Sequence, residues 1–119
     1  VEIVPELAER AAATLARLGY DEVHVRAGDG YLGWPEEAPF DAVVVTAAHP
    51  EIPRPLIDQL AVGGRLVMPV GGTDEIQQLT VLTKQPDGTL DTDELLPVRF
   101  VPVTRDRSSQ DEAPKDKVP

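Results

Sequence analysis

The stretch FDAVVVTAAHPEIPRPLIDQLAVGGRLVMPVG, residues 40–71, decides the fold class. Residues 40–48 form a short, almost continuous apolar run, the pattern of a strand covered on both faces. Residues 50–64 read as a helix closed by Gly63-Gly64, and residues 65–71 as a second buried strand. Strand, helix and strand in succession predict parallel strands with helices packed on them, an α/β sheet.

Upstream the same rhythm holds. VEIV, residues 1–4, looks like the end of a strand, and PELAERAAATLARLG, residues 5–19, reads as a helix. Pro5 suits the first helical position, where a missing N–H costs nothing. Glu6 and Glu9 favour the positive end of the helix dipole. Leu7, Ala11, Leu15 and Leu18 recur at helical spacing as one apolar stripe, and Gly19 is a good left-handed stop. EVHVRAG, residues 22–28, alternates like a short strand. Downstream the rhythm changes. Two extended runs flank Pro86-Asp87-Gly88, a strong turn signal, and PVRFVPVT, residues 97–104, supplies one more strand. The expectation is a parallel sheet with antiparallel strands at its C-terminal end. Residues 1–104 are expected to form one partial domain. Residues 105–119, charged and without an apolar cluster, are expected to be a disordered tail.

Composition narrows the function. With 11 Lys and Arg against 21 Asp and Glu, the formal net charge is −10. Such a chain has no electrostatic footprint for nucleic acid or for an anionic membrane surface. Without cysteine, disulfides, thiolate nucleophiles and thiolate metal sites are excluded. No apolar run reaches transmembrane length and no basic-then-apolar leader opens the chain, so a cytoplasmic protein is expected. Aromatic residues are only 4% of the total, so the core must be aliphatic.

Several residues could carry chemistry. Glu2 lies at a strand end before a helix, where an acid grips ribose hydroxyls in nucleotide-binding folds; a solvated glutamate is the alternative. Asp29 follows a strand between Gly28 and Gly30, which let the backbone adopt positive φ and a ligand approach closely; a plain turn is the alternative. Thr46, Ala47 and Ala48 close the next strand, leaving room for a cofactor or simply capping the strand. His49 has the chemistry of a general base, but with no Asp or Ser partner in sequence it reads as a surface-loop residue, and His24 as a structural residue within a strand. Two separated histidines make a poor metal site. Trp34 reads as cover for the open edge of the core. No glycine-rich phosphate loop opens the chain.

The chain resembles the C-terminal part of protein-L-isoaspartate O-methyltransferases. The likeness rests on IVPELAERAAATLARLGYDEVHVRAGDGYLGW, APFDAVVVTAAHPEIPRPLIDQL, GGRLVMPVG and VRFVPV, with G-D-G-x-x-G-W, P-F-D-x-x-x-V-T-A-A and R-F-V-P as its specific motifs. It covers the chain up to about Thr104. The resemblance implies a partial Rossmann-like methyltransferase fold, S-adenosylmethionine as cofactor, and proteins containing L-isoaspartyl residues as substrates. It implies that Glu2 holds the cofactor ribose, that Asp29 and Gly30 lie beside the adenine, and that Thr46, Ala47 and Ala48 lie near the methyl group. It places Pro69, Val70, Gly71, Val101 and Pro102 beside the substrate peptide. His49 stands where the family has small or apolar residues. The family's glycine-rich loop and its active-site Ser or Thr have no counterpart, so the expectation is a fragment with Val1 internal, inactive alone. Rival readings are a non-catalytic α/β interaction domain, a small-molecule methyltransferase and a nicotinamide-binding half domain.

Overall fold

The computed structural model describes residues 1–72 and 74–105, which divide into two compact units. Residues 106–119, most of the expected tail, lie outside the described residues.

The first unit comprises Val1–Gly30 with Thr104 and Arg105. Its helix α1 spans Pro5–Arg17, with Pro at its start, Glu6 in the first turn and Arg17 in the last. Gly19, at φ 85°, follows the C-cap as expected. Of the whole helix only Ala8 is buried, and Leu7 and Leu18 of the apolar stripe are exposed. The strand expected over residues 22–28 is reduced to one parallel bridge between Glu2 and Ala27. There Glu2 N–H donates to Arg26 O and Gly28 N–H to Glu2 O, both at 2.9 Å. Without a longer partner, alternation alone does not make a ladder. His24 is correspondingly exposed rather than structural.

The second unit, Tyr31–Val103, is built on a four-stranded sheet. Its strands are β1 (Phe40–Val44), β2 (Leu60–Val70), β3 (Gln77–Lys84) and β4 (Leu90–Val98), in that order across the sheet. β1 and β2 run parallel; β2, β3 and β4 are antiparallel neighbours. The sheet is therefore mixed, with its antiparallel part at the C-terminal end. Leu60, Leu66, Met68 and Leu82 of the sheet pack with Leu56 as an aliphatic core, with Val43, Val45 and Ile52 against it.

Three details depart from the sequence reading. The helix expected over residues 50–64 is only α2, Arg54–Asp58. Pro50, Pro53 and Pro55 delay its start, and residues 60–64 join β2 instead, where pairing of Leu60 with Phe40 of β1 outweighs helical spacing. Phe40 pairs with Leu60 but Ala42 pairs with Arg65, so β2 bulges by several residues there. Gly63 turns the bulge at φ 84°, which favours glycine, and a Cβ on Gly64 would lie 3.0 Å from Asp41 O. The strand expected over residues 40–48 ends at Val44, which is 70% exposed, so β1 is not covered on both faces among the described residues. The strand expected over residues 97–104 is split: Pro97 and Val98 end β4, and Val101–Val103 pair separately with Ala48. β4 itself is exposed along most of its length and carries Asp91, Asp93 and Glu94 on the sheet edge, a charged guard against edge pairing. The Pro86-Asp87-Gly88 turn forms as expected. Gly88 N–H reaches Gln85 O at 2.9 Å, and Asp87 Oδ1 accepts from the Thr89 N–H and hydroxyl at 3.0 and 2.6 Å. These bonds, the hydroxyl first, hold the Asp87 carboxyl below its ordinary range.

Candidate functional site

In the first unit, the bridge between Glu2 and Ala27 sets two acids at the ends of parallel extended segments. Glu2 is half-buried, and its Oε2 accepts from the Val4 N–H at 3.1 Å, at the entry to α1. Gly28 is hydrogen-bonded directly to Glu2, so the Gly28-Asp29-Gly30 turn starts beside it. The carboxyl ends of parallel segments are where ligands settle in α/β sheets. The structure thus brings Glu2, Asp29 and Gly30 into one neighbourhood.

Asp29 is buried, and Arg105 Nε donates to its Oδ2 at 3.3 Å, with the two side chains 3% and 13% exposed. A carboxylate removed from water needs such a partner. Sequence reasoning missed Arg105: it lies 76 residues from Asp29, and no local pattern announces the pairing. A carboxylate has lone pairs for more than one donor, so an adenine amino group could share it with the guanidinium.

In the second unit, short extended segments meet beyond the end of β1. Ala48 N–H donates to Val101 O at 2.7 Å and Val103 N–H to Ala48 O at 2.8 Å, forming a parallel bridge to Pro102. His49 bridges Val70, and Gly71 N–H donates to His49 O at 2.9 Å. A cavity of about 410 Å³ opens here, lined by Ala48, His49, Gly71, Glu75, Pro102 and Val103, among others. Ala48 is buried and Thr46 exposed; Pro69 is fully buried beneath the strand end, and Val101 is exposed. Ala48, Gly71 and Pro102 therefore share one cavity. Pro69 is a floor residue of the sheet, and Thr46 is not among the lining residues.

His49 is half-buried, not a free surface side chain. Its ring packs against Tyr31 with centroids 5.2 Å apart, and its Nδ1 lies 2.8 Å from Glu51 O, the distance of a donated hydrogen bond. Trp34 is half-buried, and its backbone N–H donates to Gln59 Oε1 at 2.9 Å, while Gln59 Nε2 donates to Leu32 O at 2.9 Å. One buried amide thus fixes the loop that carries Trp34. Among the described residues no cluster of three or more His, Asp or Glu side chains could hold a metal ion, and no helix is long and apolar enough to cross a membrane.

Parallel strands and helices beside a mixed sheet make this an α/β fold, the class to which Rossmann-like methyltransferases belong. Solved structures support that class. A protein-L-isoaspartate O-methyltransferase superposes with TM-score 0.76 at 32% identity, over 83% of this chain and 31% of that one. A putative protein-L-isoaspartate O-methyltransferase from Plasmodium falciparum, in complex with S-adenosyl-L-homocysteine, superposes with TM-score 0.73 at 27% identity, over 88% and 51%. Residues 1–108 match the profile of the family described as Protein-L-isoaspartate(D-aspartate) O-methyltransferase (PCMT). The chain belongs to that family. Among its relatives, the Protein-L-isoaspartate O-methyltransferase of Gloeobacter violaceus is 61% identical over 92% of this chain and 53% of its own length. Protein-L-isoaspartate O-methyltransferase 2 of Syntrophobacter fumaroxidans is 57% identical over 87% and 42%. The chain spans about half the length of the curated relatives it matches.

Proposed function

We propose that the protein carrying these residues transfers a methyl group from S-adenosylmethionine to the carboxylate of L-isoaspartyl residues in damaged proteins. The observation that carries the reading is the pairing of Glu2 with Arg26 and Gly28, which places a half-buried acid beside the Gly28-Asp29-Gly30 turn. That donor set fits an adenosine: the Glu2 carboxylate accepts from ribose hydroxyls, and Asp29 with the Gly30 backbone receives the adenine edge. Thr46, Ala47 and Ala48 are assigned to the methyl-donor side. Gly71, Val101 and Pro102 are assigned to the substrate peptide, with Pro69 and Val70 shaping the floor beneath them.

When bound, the cofactor supplies an electrophilic methyl group on a sulfonium. The acceptor carboxylate is already ionised at neutral pH, and the leaving group is a neutral thioether. No proton need move in the chemical step, so the chain has no need of a His–Asp pair. Its residues act by alignment and exclusion of water, and proximity of this kind contributes about 7–11 kcal/mol. The same proposal includes a cytoplasmic location, because the methyl donor is an intracellular metabolite, and includes no nucleic-acid or membrane partner, in keeping with the net charge of −10.

Calorimetric titration of the complete gene product with S-adenosylhomocysteine, beside Asp29→Ala, tests the cofactor assignment. Binding that the substitution weakens at least tenfold is expected. Equal binding by both proteins would remove Asp29 from the site. Methylation of an isoaspartyl peptide, against the same peptide with normal aspartate, tests the substrate.

A further inference from the structure

We infer that Gln77 is a positioning residue for the cavity between Ala48, Gly71 and Pro102; the inference rests on the peptide-binding role proposed for that cavity. Gln77 opens β3 and is fully buried, a place where an apolar side chain would ordinarily fill space. Its main chain pairs in register with Val98, the last residue of β4. Its side chain continues the ladder where the main chain stops. Oε1 accepts from the Phe100 N–H at 2.7 Å, and Nε2 donates to Phe100 O at 3.1 Å. One primary amide thus answers both main-chain groups of Phe100, as a neighbouring strand would.

Phe100 leads directly into Val101–Val103, the segment that pairs with Ala48 and supplies one wall of the cavity. The opposite wall also rests on Gln77. Gly71 has φ 146°, and a Cβ there would lie 3.0 Å from Gln77 Cα and 3.2 Å from its Cγ, so the loop sits directly on the glutamine stem. Gln77 Nε2 also lies 3.5 Å from Gly72 O, a long contact on the same loop. Gln77 touches no substrate in this arrangement and lines no part of the cavity. It sets the separation of two walls that do.

The test uses the complete gene product with Gln77→Met, which keeps length and burial but removes both amide atoms. Gln59→Met is the control, because Gln59 is equally a buried glutamine holding a loop, the one carrying Trp34. For Gln77→Met, the KM for an isoaspartyl peptide should rise at least tenfold, while kcat and the Kd for S-adenosylhomocysteine stay within twofold. Amide exchange at Ala48 and Val103, which join the two segments, should accelerate at least tenfold. Gln59→Met should leave both the KM and those two amides unchanged. Faster exchange with an unchanged KM would overturn the inference, as would a raised KM with unchanged exchange. An equal KM rise in both variants would reduce Gln77 to a general structural role and so overturn it too. Should Gln77→Met fail to fold, Gln77→Glu keeps the acceptor for Phe100 N–H, loses the donor, and carries the same comparison. If the unaltered protein methylates no isoaspartyl peptide, the proposed function falls by itself, and the exchange data still decide whether Gln77 holds the segment.

Discussion

Helix α1 and strand β2 are the longest elements of their respective units, and they are held in opposite ways. Along α1 only Ala8 is buried. Its start and stop come from Pro5, Glu6 and Gly19, all local signals. β2 buries Leu60, Leu66, Met68 and Pro69 while pairing with a strand on each side. The helix is specified by its own residues, whereas the strand is specified by what surrounds it. A local signal survives loss of neighbours; a buried strand does not.

The largest effect should come from the buried side. Leu66→Ala is expected to destabilise the protein by about 3–5 kcal/mol through lost burial and the cavity left behind, read from urea unfolding. Leu18→Ala, on the exposed stripe of α1, should change stability by no more than about 0.5 kcal/mol. Equal losses at the two sites would break the comparison.

The first unit also holds an interaction of the buried kind, the contact of Arg105 with Asp29. Arg105→Ala removes the guanidinium that donates to the buried Asp29 carboxylate, an expected loss of about 2 kcal/mol, accompanied by weaker S-adenosylhomocysteine binding. Asp29→Asn combined with Arg105→Ala should recover part of the stability, because a neutral amide costs less to bury than a carboxylate, but not the binding. No recovery of stability in the double variant would show that packing of the Arg105 stem, not charge, is what matters there.

The smallest effect belongs to the Pro86-Asp87-Gly88 turn. Asp87 has its carboxyl held down by Thr89. A depressed acid contributes stability above its unfolded pKa and loses that contribution as pH falls through the folded value. Thr89→Val should return the Asp87 titration upward toward the ordinary 3.8, followed by carboxyl NMR, and should slightly lower stability near neutral pH while making it fall less on acidification.

What could be read in the sequence follows the same division. α1, the turn at Asp87 and the mixed character of the sheet were legible because capping residues, a Pro-Asp-Gly run and a switch in periodicity are local patterns. The sequence sets Glu2, Asp29 and Gly30 at the ends of extended runs, and the bridge between Glu2 and Ala27 brings those ends together; their hold on a cofactor is the proposal made above. Residues 60–64 have a spacing that suits helix or strand, and it is pairing of Leu60 with Phe40 that selects strand. Arg105, Gln59 and Gln77 were invisible for a different reason. Each acts on residues 23 to 76 positions away, and a glutamine in an apolar strand looks like an ordinary solvent-facing residue until burial is known.

The bulge at Gly63 also limits how the chain can change in length. Residues 60 and 65 of β2 answer residues 40 and 42 of β1, while Leu66 is matched to Leu82 across the other edge. Deleting one residue from the bulge pulls these two registers against each other, and a slip of one position would turn Leu66 and Met68 from the core toward water. Ala61 and Val62 can be substituted one at a time, whereas Gly63 and Gly64 cannot take a side chain without strain, and an insertion or deletion of a single codon is absorbed nowhere in the segment. Its length is as constrained as its two glycines.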